Sequence, residues 1–492
     1  MKTKNIYDLN SLLVIGNCCI CVLAIILYYY KGNNQYVDIY TVILLCIFGA
    51  ENLLILLYER KIRDPFIMIL MVVVLIFYMT RIVTLLYDPY SLALDIHSAT
   101  PNDLNYSLLF ILLSNASIFL GLITAGGKII YKQNESFDEY PANPHNIIII
   151  LSFVIAISFY IPLSSHFISR FSGYVTSVFI KLHLIILFTF IYLLINYKKI
   201  SRRYLTIFLI LIAIFTILTT LHGSRSALLT LAYLLLIGFL SVKGDILFNK
   251  KAVFIGTVLI PLSVVLFVSA TYIRWFDPGS RSVVSSYQIN ILKESDILGS
   301  KKINILCRLM FYRMGFLDFA TVVIRNRELY DKIINFQYYF KSIIDNVMSP
   351  GFNIFETPKV SNSMSFIARG QPIPNYKDVM AAYHSDMLTV YGEYYVLFLG
   401  YPDLIFLFLF SHIFKRIYLS IRSKDVFLFY MYRAIILYIF YMWLNSFGLD
   451  WMMFDLVGII ITVGLFKNFY KMRRKKGKPV YRSKELVGDT PI

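Results

Sequence analysis

The sequence predicts an all-α fold: a polytopic transmembrane helical bundle of about twelve spans, with one large extracytoplasmic loop containing amphipathic helices. Three observations carry that expectation. Of 492 residues, 58% are hydrophobic and only 15% charged, whereas a soluble domain carries about 25% charged residues. Mean hydropathy is +0.66, more apolar surface than a soluble globule could hide, so lipid is the expected solvent. Apolar runs of about 20 residues, long enough to cross a hydrocarbon core of about 30 Å, recur along the whole chain. The abundant Tyr and Phe suit helices that fill gaps and anchor at interfaces.

In chain order, spans are expected near 11–30, 38–58, 66–87, 106–126, 146–162, 173–196, 204–221, 226–242, 252–273, 387–412, 425–446 and 451–470. The first follows Lys2 and Lys4 and lacks a small-x-small cleavage site, so it reads as a membrane helix and not as a removed signal peptide. These spans divide the chain into a nine-helix region (1–273), a large loop (274–386), a three-helix region (387–470) and a basic tail (471–492).

Charge placement orients the bundle. Lys2 and Lys4, the ERKIRDP turn, Lys128 and Lys132, YKKISRR, KGDILFNKK, KRIYLSIRSK and the tail from Lys467 together hold 27 Lys and Arg. The short loops of the opposite side hold only Lys31, Arg170 and Arg225. Lys and Arg gather on the cytoplasmic side, which places both termini in the cytoplasm. The net charge of +18 is thereby explained without nucleic acid, and the tail KMRRKKGK reads as a stop-transfer and anionic-lipid contact. Cys18, Cys19, Cys21 and Cys46 lie in apolar runs and Cys307 alone lies in the loop. That set offers neither a disulfide framework nor a zinc spacing. The cluster at 18–21 reads as lipid-facing filler.

By alternation the loop 274–386 lies outside. Residues 303–326 and 331–347 carry apolar residues at helical spacing: Ile303, Leu306, Met310 and Leu317 form a stripe, with Arg308 and Arg313 between them. Two amphipathic helices at or near the outer surface are expected. Pro350-Gly351, Pro358, Pro372 and Pro374 mark irregular chain before the next membrane entry.

Charges inside a bilayer are costly, so each demands a reason. Glu51 and Arg433 lie at matching depth and are expected to pair. Arg81, Lys181 and His183 sit in the outer halves of their spans and, with Arg225, would make the outward mouth cationic, which invites an anionic ligand such as phosphate. HGSRSALL (222–229) sets Arg225 in a tight turn at the start of a helix, where backbone N–H groups and a guanidinium fork both attract anions. AAYHSDMLTVYGEYYVLFLGYP (381–402) offers His384, Asp386, Gly392-Glu393 and Gly400. On one continuous helix His384 and Glu393 face opposite ways, so they can serve one substrate atom only if the helix breaks, for instance at Gly392.

At these two stretches the chain resembles the oligosaccharide repeat unit polymerases, the Wzy or O-antigen polymerase family. The shared features are about twelve spans, a large outer loop in the second half, GSRSALL opening a helix, and a Gly-Glu entry after the loop with a second glycine at Gly400. It is more distantly similar to the O-antigen ligases. The resemblance implies a metal-independent, membrane-embedded glycosyltransferase of the bacterial cytoplasmic membrane. Its substrates would be oligosaccharide repeat units on undecaprenyl diphosphate in the outer leaflet, and its product a surface polysaccharide such as O-antigen, capsule or exopolysaccharide. It further implies a flippase and a chain-length regulator as partners. A sugar hydroxyl would attack an anomeric carbon, expelling the diphosphate. Pre-placed cations stabilise such a leaving group: Arg225 is the first choice, with Arg274, Arg281, Arg308, Arg313 and Arg369 as the pool for a second. His384 is the expected general base, with Glu393 its rival. The alternatives are a lipid-linked oligosaccharide flippase, which would not need so long a loop, and an O-antigen-type ligase. A metal-dependent phosphate-sugar transferase would need an acidic pair in the first outer loop, where Asp38 stands alone.

Overall fold

Short polar side chains set where the membrane helices begin. The computed structural model describes residues 7–87, 99–127, 184–196, 202–221, 225–244, 247–248, 316–347, 354–368, 389–398, 400–423, 425–445 and 449–476. Asp8 accepts the Ser11 N–H to open α1 (Leu9–Lys31), and Asp38 forms a reciprocal capping box with Thr41 at the start of α2 (Ile39–Ile62). Asp64 accepts the Phe66 N–H beside Pro65 to open α3 (Pro65–Tyr87), and Thr100 forms a second box with Asp103 at α4 (Pro101–Thr124). A helix end has orphan N–H groups that lipid cannot satisfy, so capping side chains fix where each helix starts.

The chain continues with α5 (Leu184–Ile195), α6 (Arg202–Leu221), α7 (Arg225–Lys243), α8 (Phe316–Arg325), α9 (Arg327–Ile333), α10 (Phe336–Val347), α11 (Val360–Ala368), α12 (Thr389–Leu397), α13 (Asp403–Ser420), α14 (Val426–Leu444) and α15 (Leu449–Lys476). Among the described residues, five helices, α1 to α4 and α14, are long and apolar enough to cross a membrane. The described residues are predominantly helical, as in a polytopic helical membrane protein. The spans expected at 146–162 and 252–273 lie outside the described residues. The described strands form one short antiparallel ladder, Tyr7–Asp8 against Leu247–Phe248.

Small residues and amides hold the first helices together. Gly49 lets α1 and α2 cross closely, because a Cβ there would strike Cys21 Sγ, and Asn17 donates to the bared Gly49 carbonyl at 2.8 Å. Gly121 does the same between α4 and α13, where a Cβ would collide with Ser411 Oγ and the Phe408 carbonyl. Without a hydrophobic driving force between helices in lipid, close backbone approach and interhelical hydrogen bonds supply the attraction. Cys18 and Cys19 are exposed on α1, where lipid-facing filler was expected, whereas Cys21 of the same cluster is half-buried at the crossing with α2.

Contacts at the helix ends sort the segments into two groups. At one end the strand ladder ties the start of α1 to the segment after α7, Asp64 pairs with Lys415 of α13 at 2.6 Å, and Thr124 meets His412 at 3.2 Å. At the other end Lys31 bonds the Tyr87 carbonyl, Asn34 bonds the Leu85 carbonyl at 3.2 Å, and Arg325 pairs with Asp103 at 3.5 Å. The first group joins several of the basic segments that the Lys and Arg count put on one side, with YKKISRR and the tail from Lys467 outside these contacts.

Two expectations about the second half are corrected. The stretch 303–326 was expected at the surface, yet its described part, α8, has eight of ten residues buried and packs against α4, α12 and the middle of α3. The second amphipathic helix, expected over 331–347, is instead divided into α9 and α10 around Ile334-Asn335. The span expected at 387–412 is two helices. Gly400 adopts φ +97°, its N–H bonds the Tyr395 carbonyl, and Asp403 then bonds the Gly400 carbonyl at 3.0 Å to start α13. Only glycine takes that backbone freely, and Arg327 lies against the space a Cβ would fill. α12, at nine residues, spans only about 14 Å at 1.5 Å per residue and cannot cross a membrane alone.

Candidate functional site

The insertion of α8 and α12 builds the candidate site. Tyr78 lies in a π-helical turn, Leu75–Met79, inside α3, a local widening frequently found at functional sites. Its ring is 6.2 Å from Phe316 at the start of α8 and 5.1 Å from Tyr391 near the start of α12, both edge-on. Phe77 stacks on Phe316 at 4.4 Å. The N-termini of both inserted helices therefore meet at one turn of α3. From there α8 climbs to Arg325 beside Asp103, and α12 climbs to Tyr395, whose hydroxyl is 3.0 Å from that of Tyr106. The two lie side by side, and a Cβ at Gly392 would be in ordinary contact with Val323 and Ala320, at 3.5 and 3.6 Å.

A buried ion pair fastens α8 to α3. Arg81 Nε bonds both Asp318 oxygens, at 3.0 and 2.9 Å, and Nη2 closes the fork. Both side chains are essentially inaccessible, at 0% and 1% exposure. Arg81 was expected to charge an outward mouth; it is instead paired, because an isolated guanidinium at that depth would be prohibitively costly.

Glu393 is fully buried and accepts the Leu449 N–H at the start of α15. A carboxylate there satisfies an orphan donor and meets the positive end of the helix dipole. The helix runs unbroken through Gly392; the strained point lies earlier, at Thr389, a β-branched residue at φ +57°, a conformation that normally needs a reason. That point lies three residues before the glycine where a break was expected, and His384 itself lies outside the described residues. α12 is further held by Trp443, whose indole N–H donates to Tyr394 at 2.9 Å.

The expected Glu51–Arg433 pair does not form. Glu51 receives the Asn115 amide at 3.0 Å, while the Arg433 guanidinium lies over the rings of Phe429 and Tyr418, at 4.1 and 4.7 Å. Matching depth fixes the height of a side chain and leaves its direction around the helix open. Asp38, the lone acid of the first outer loop, caps α2 and accepts from Asn105 of α4, so its role is to join helices.

Arg225 is the first residue of α7, the helix start that its motif predicts. Its side chain, and His384, Arg274, Arg281, Arg308, Arg313 and Arg369, lie outside the described residues, as do Lys181, His183 and Cys307. Among the described residues no group of three or more His, Cys, Asp or Glu is set to hold a metal. Asp318 and Asp403 were not expected from the sequence. The signal for the second was an acid directly after Gly-Tyr-Pro inside an apolar run. Comparison with family models, curated proteins and solved structures gives no match.

Proposed function

We propose that this chain polymerises oligosaccharide repeat units carried on undecaprenyl diphosphate, at the outer leaflet of a bacterial cytoplasmic membrane. In this reading it crosses the membrane about twelve times, holds both termini in the cytoplasm, and folds part of its outer loop back into the bundle. The observation that carries the proposal is the paired insertion of α8 and α12. Arg313 precedes α8 by three residues and His384 precedes α12 by five, so the segments that hold them lead directly into two helix starts that meet at Tyr78. Half-helix N-termini inside a membrane protein favour anionic groups, and the leaving group here is a diphosphate.

In the reaction a hydroxyl on the terminal sugar of one lipid-linked unit attacks the anomeric carbon of the chain held on a second. The new glycosidic C–O bond forms as the bond from that carbon to diphosphate breaks. The hydroxyl proton passes to His384 and the electron pair leaves with undecaprenyl diphosphate. Glu393, committed to the α15 terminus, serves the reaction by fixing α12. Arg225 and one of Arg274, Arg281, Arg308, Arg313 or Arg369 meet the charge that develops on the diphosphate. A flippase supplies the substrate, and a chain-length regulator works on the product.

The test is purified protein incubated with lipid-linked repeat units, read for polymer and for released undecaprenyl diphosphate. Arg225→Ala is expected to leave single lipid-linked repeats and no long chains; a normal ladder of chain lengths from that variant overturns its role, and no polymer from wild-type protein overturns the reading.

A further inference from the structure

Two exposed apolar stripes on neighbouring helices are each headed by a tyrosine. On α4, Tyr106 precedes Leu109 and Leu113; in the turn that opens α13, Tyr401 precedes Ile405 and Leu409, and all six are exposed. Both tyrosines lie at the end of the bundle where Arg325 meets Asp103. Tyrosines at such a boundary anchor helices between lipid and water. A simple anchor needs no fixed partner, and these two have several.

The Tyr106 and Tyr401 rings lie edge to face with centroids 6.3 Å apart, at 39% and 45% exposure. Buried beside them, Tyr395 of α12 sets its hydroxyl 3.0 Å from that of Tyr106 and its ring 4.6 Å from Phe110. Phe110 also meets the Tyr401 ring, at 5.9 Å. Arg327, at the start of α9, lies over the Tyr395 ring at 5.5 Å, and its Nη1 is 2.7 Å from where a Cβ on Gly400 would stand. Its Nε pairs with Asp331 at 3.3 Å, and the side chain stays one-third exposed. Four segments far apart in the sequence thus hold two aromatic faces and a guanidinium in place at the rim.

The chemistry of this patch selects its ligand. A sugar ring stacks its C–H face on an aromatic ring while the hydroxyls around its edge exchange hydrogen bonds. Tyrosyl hydroxyls both donate and accept, and a guanidinium donates through a rigid fork. Charge decides against a phosphate: Arg327 already faces Asp331, and Arg325 already faces Asp103. We propose that Tyr106, Tyr401 and Arg327 form a binding site for a neutral saccharide at this rim of the bundle. Its identity as part of a lipid-linked repeat unit rests on the function proposed above. Helix α12 connects the two places: Tyr395 follows Thr389 by six residues, about 9 Å along the helix. One oligosaccharide can therefore reach from this patch to the start of α12, where Tyr391 meets Tyr78.

The test uses the full chain in nanodiscs of phosphatidylcholine, applied to a printed array of neutral oligosaccharides that carry neither lipid nor phosphate. Wild-type protein is expected to retain a subset of them. Tyr401→Leu keeps an apolar anchor and removes the aromatic face, so retention of that subset should fall roughly tenfold; Tyr401→Phe should bind as wild type does. Arg327→Ala should also weaken binding roughly tenfold, and Tyr106→Leu gives the same reading should that variant not fold. Wild-type protein that retains no neutral glycan overturns the site. So does Tyr401→Leu binding as wild type, the result that interface anchoring alone would give. Binding is read apart from turnover: glycan retained by a chain that makes no polymer in the purified assay overturns the reaction and leaves the site. Polymer from a chain that fails the array overturns the site alone.

Discussion

The α1–α4 region and the inserted pair α8–α12 bury polar groups in opposite ways. In the first, side-chain amides cross between complete helices: Asn10 to the Leu56 carbonyl and Glu59, Asn17 to the Gly49 carbonyl, Asn115 to Glu51 and Asn52. In the second, charge does the fastening: Arg81 on Asp318, and Glu393 on the start of α15. A complete membrane helix satisfies its own backbone and needs only modest glue, since interhelical hydrogen bonds there average about 0.6 kcal/mol. A short inserted helix leaves orphan N–H groups at depth, and ionised partners are the strongest remedy. The regular region should therefore tolerate loss of a polar contact, and the inserted one should not.

The sharpest test of that contrast is Arg81→Ala. Removing one partner of a buried pair strands the other, costing about 3–5 kcal/mol, so thermal unfolding should show a large loss, and Arg81→Ala combined with Asp318→Ala should be more stable than Arg81→Ala alone. Loss no greater than that from Asn17→Ala would erase the distinction. Gly121→Leu comes next. It forces α4 from α13 with an overpacking cost of about 1–3 kcal/mol, measured in the same melts; insensitivity there would mean that the crossing is looser than its geometry.

Glu393→Gln separates a cap from a base. An amide still accepts the Leu449 N–H, so stability should fall by about 1 kcal/mol or less while polymer forms in the purified assay; complete loss of polymer with an unchanged melting profile would make Glu393 catalytic.

The smallest effect is at Asp38. Burial pushes its carboxyl up, but hydrogen bonds from Asn105 and Thr41 outweigh that and hold it below its ordinary value. A depressed native value adds stability above the unfolded pKa of about 3.9 and loses it as pH falls through the folded value. Melts from pH 6 to pH 3 should therefore show a shallower acid loss for Asp38→Asn than for wild type; identical pH profiles would remove Asp38 as a contributor.

Periodicity and charge made the first region legible. The expected spans at 11–30, 38–58, 66–87 and 106–126 overlie α1 to α4 with ends shifted by a few residues, because capping groups such as Asp64 and Thr100 decide the start. The grouping of basic connections was readable for the same reason: each is a local count. The inserted pair was not readable. Asp318 meets a partner 237 residues away, and nothing local in FLDFA names Arg81. The corner at Gly400 was in view as Gly-Tyr-Pro, yet apolar residues on both sides suggested one span. Depth alone suggested Glu51 with Arg433, and the structure gave Glu51 to Asn115.

By itself the sequence determined that lipid is the solvent, where the N-terminal membrane helices run and which connections share a side, because hydrophobicity, helix length and Lys/Arg placement act residue by residue. Only the tertiary structure decided that α8 and α12 enter the bundle and that Arg81, Glu393 and Asp403 sit where they do. Those outcomes depend on which faces meet around each helix, and that is fixed by packing and by the need to satisfy charge away from water.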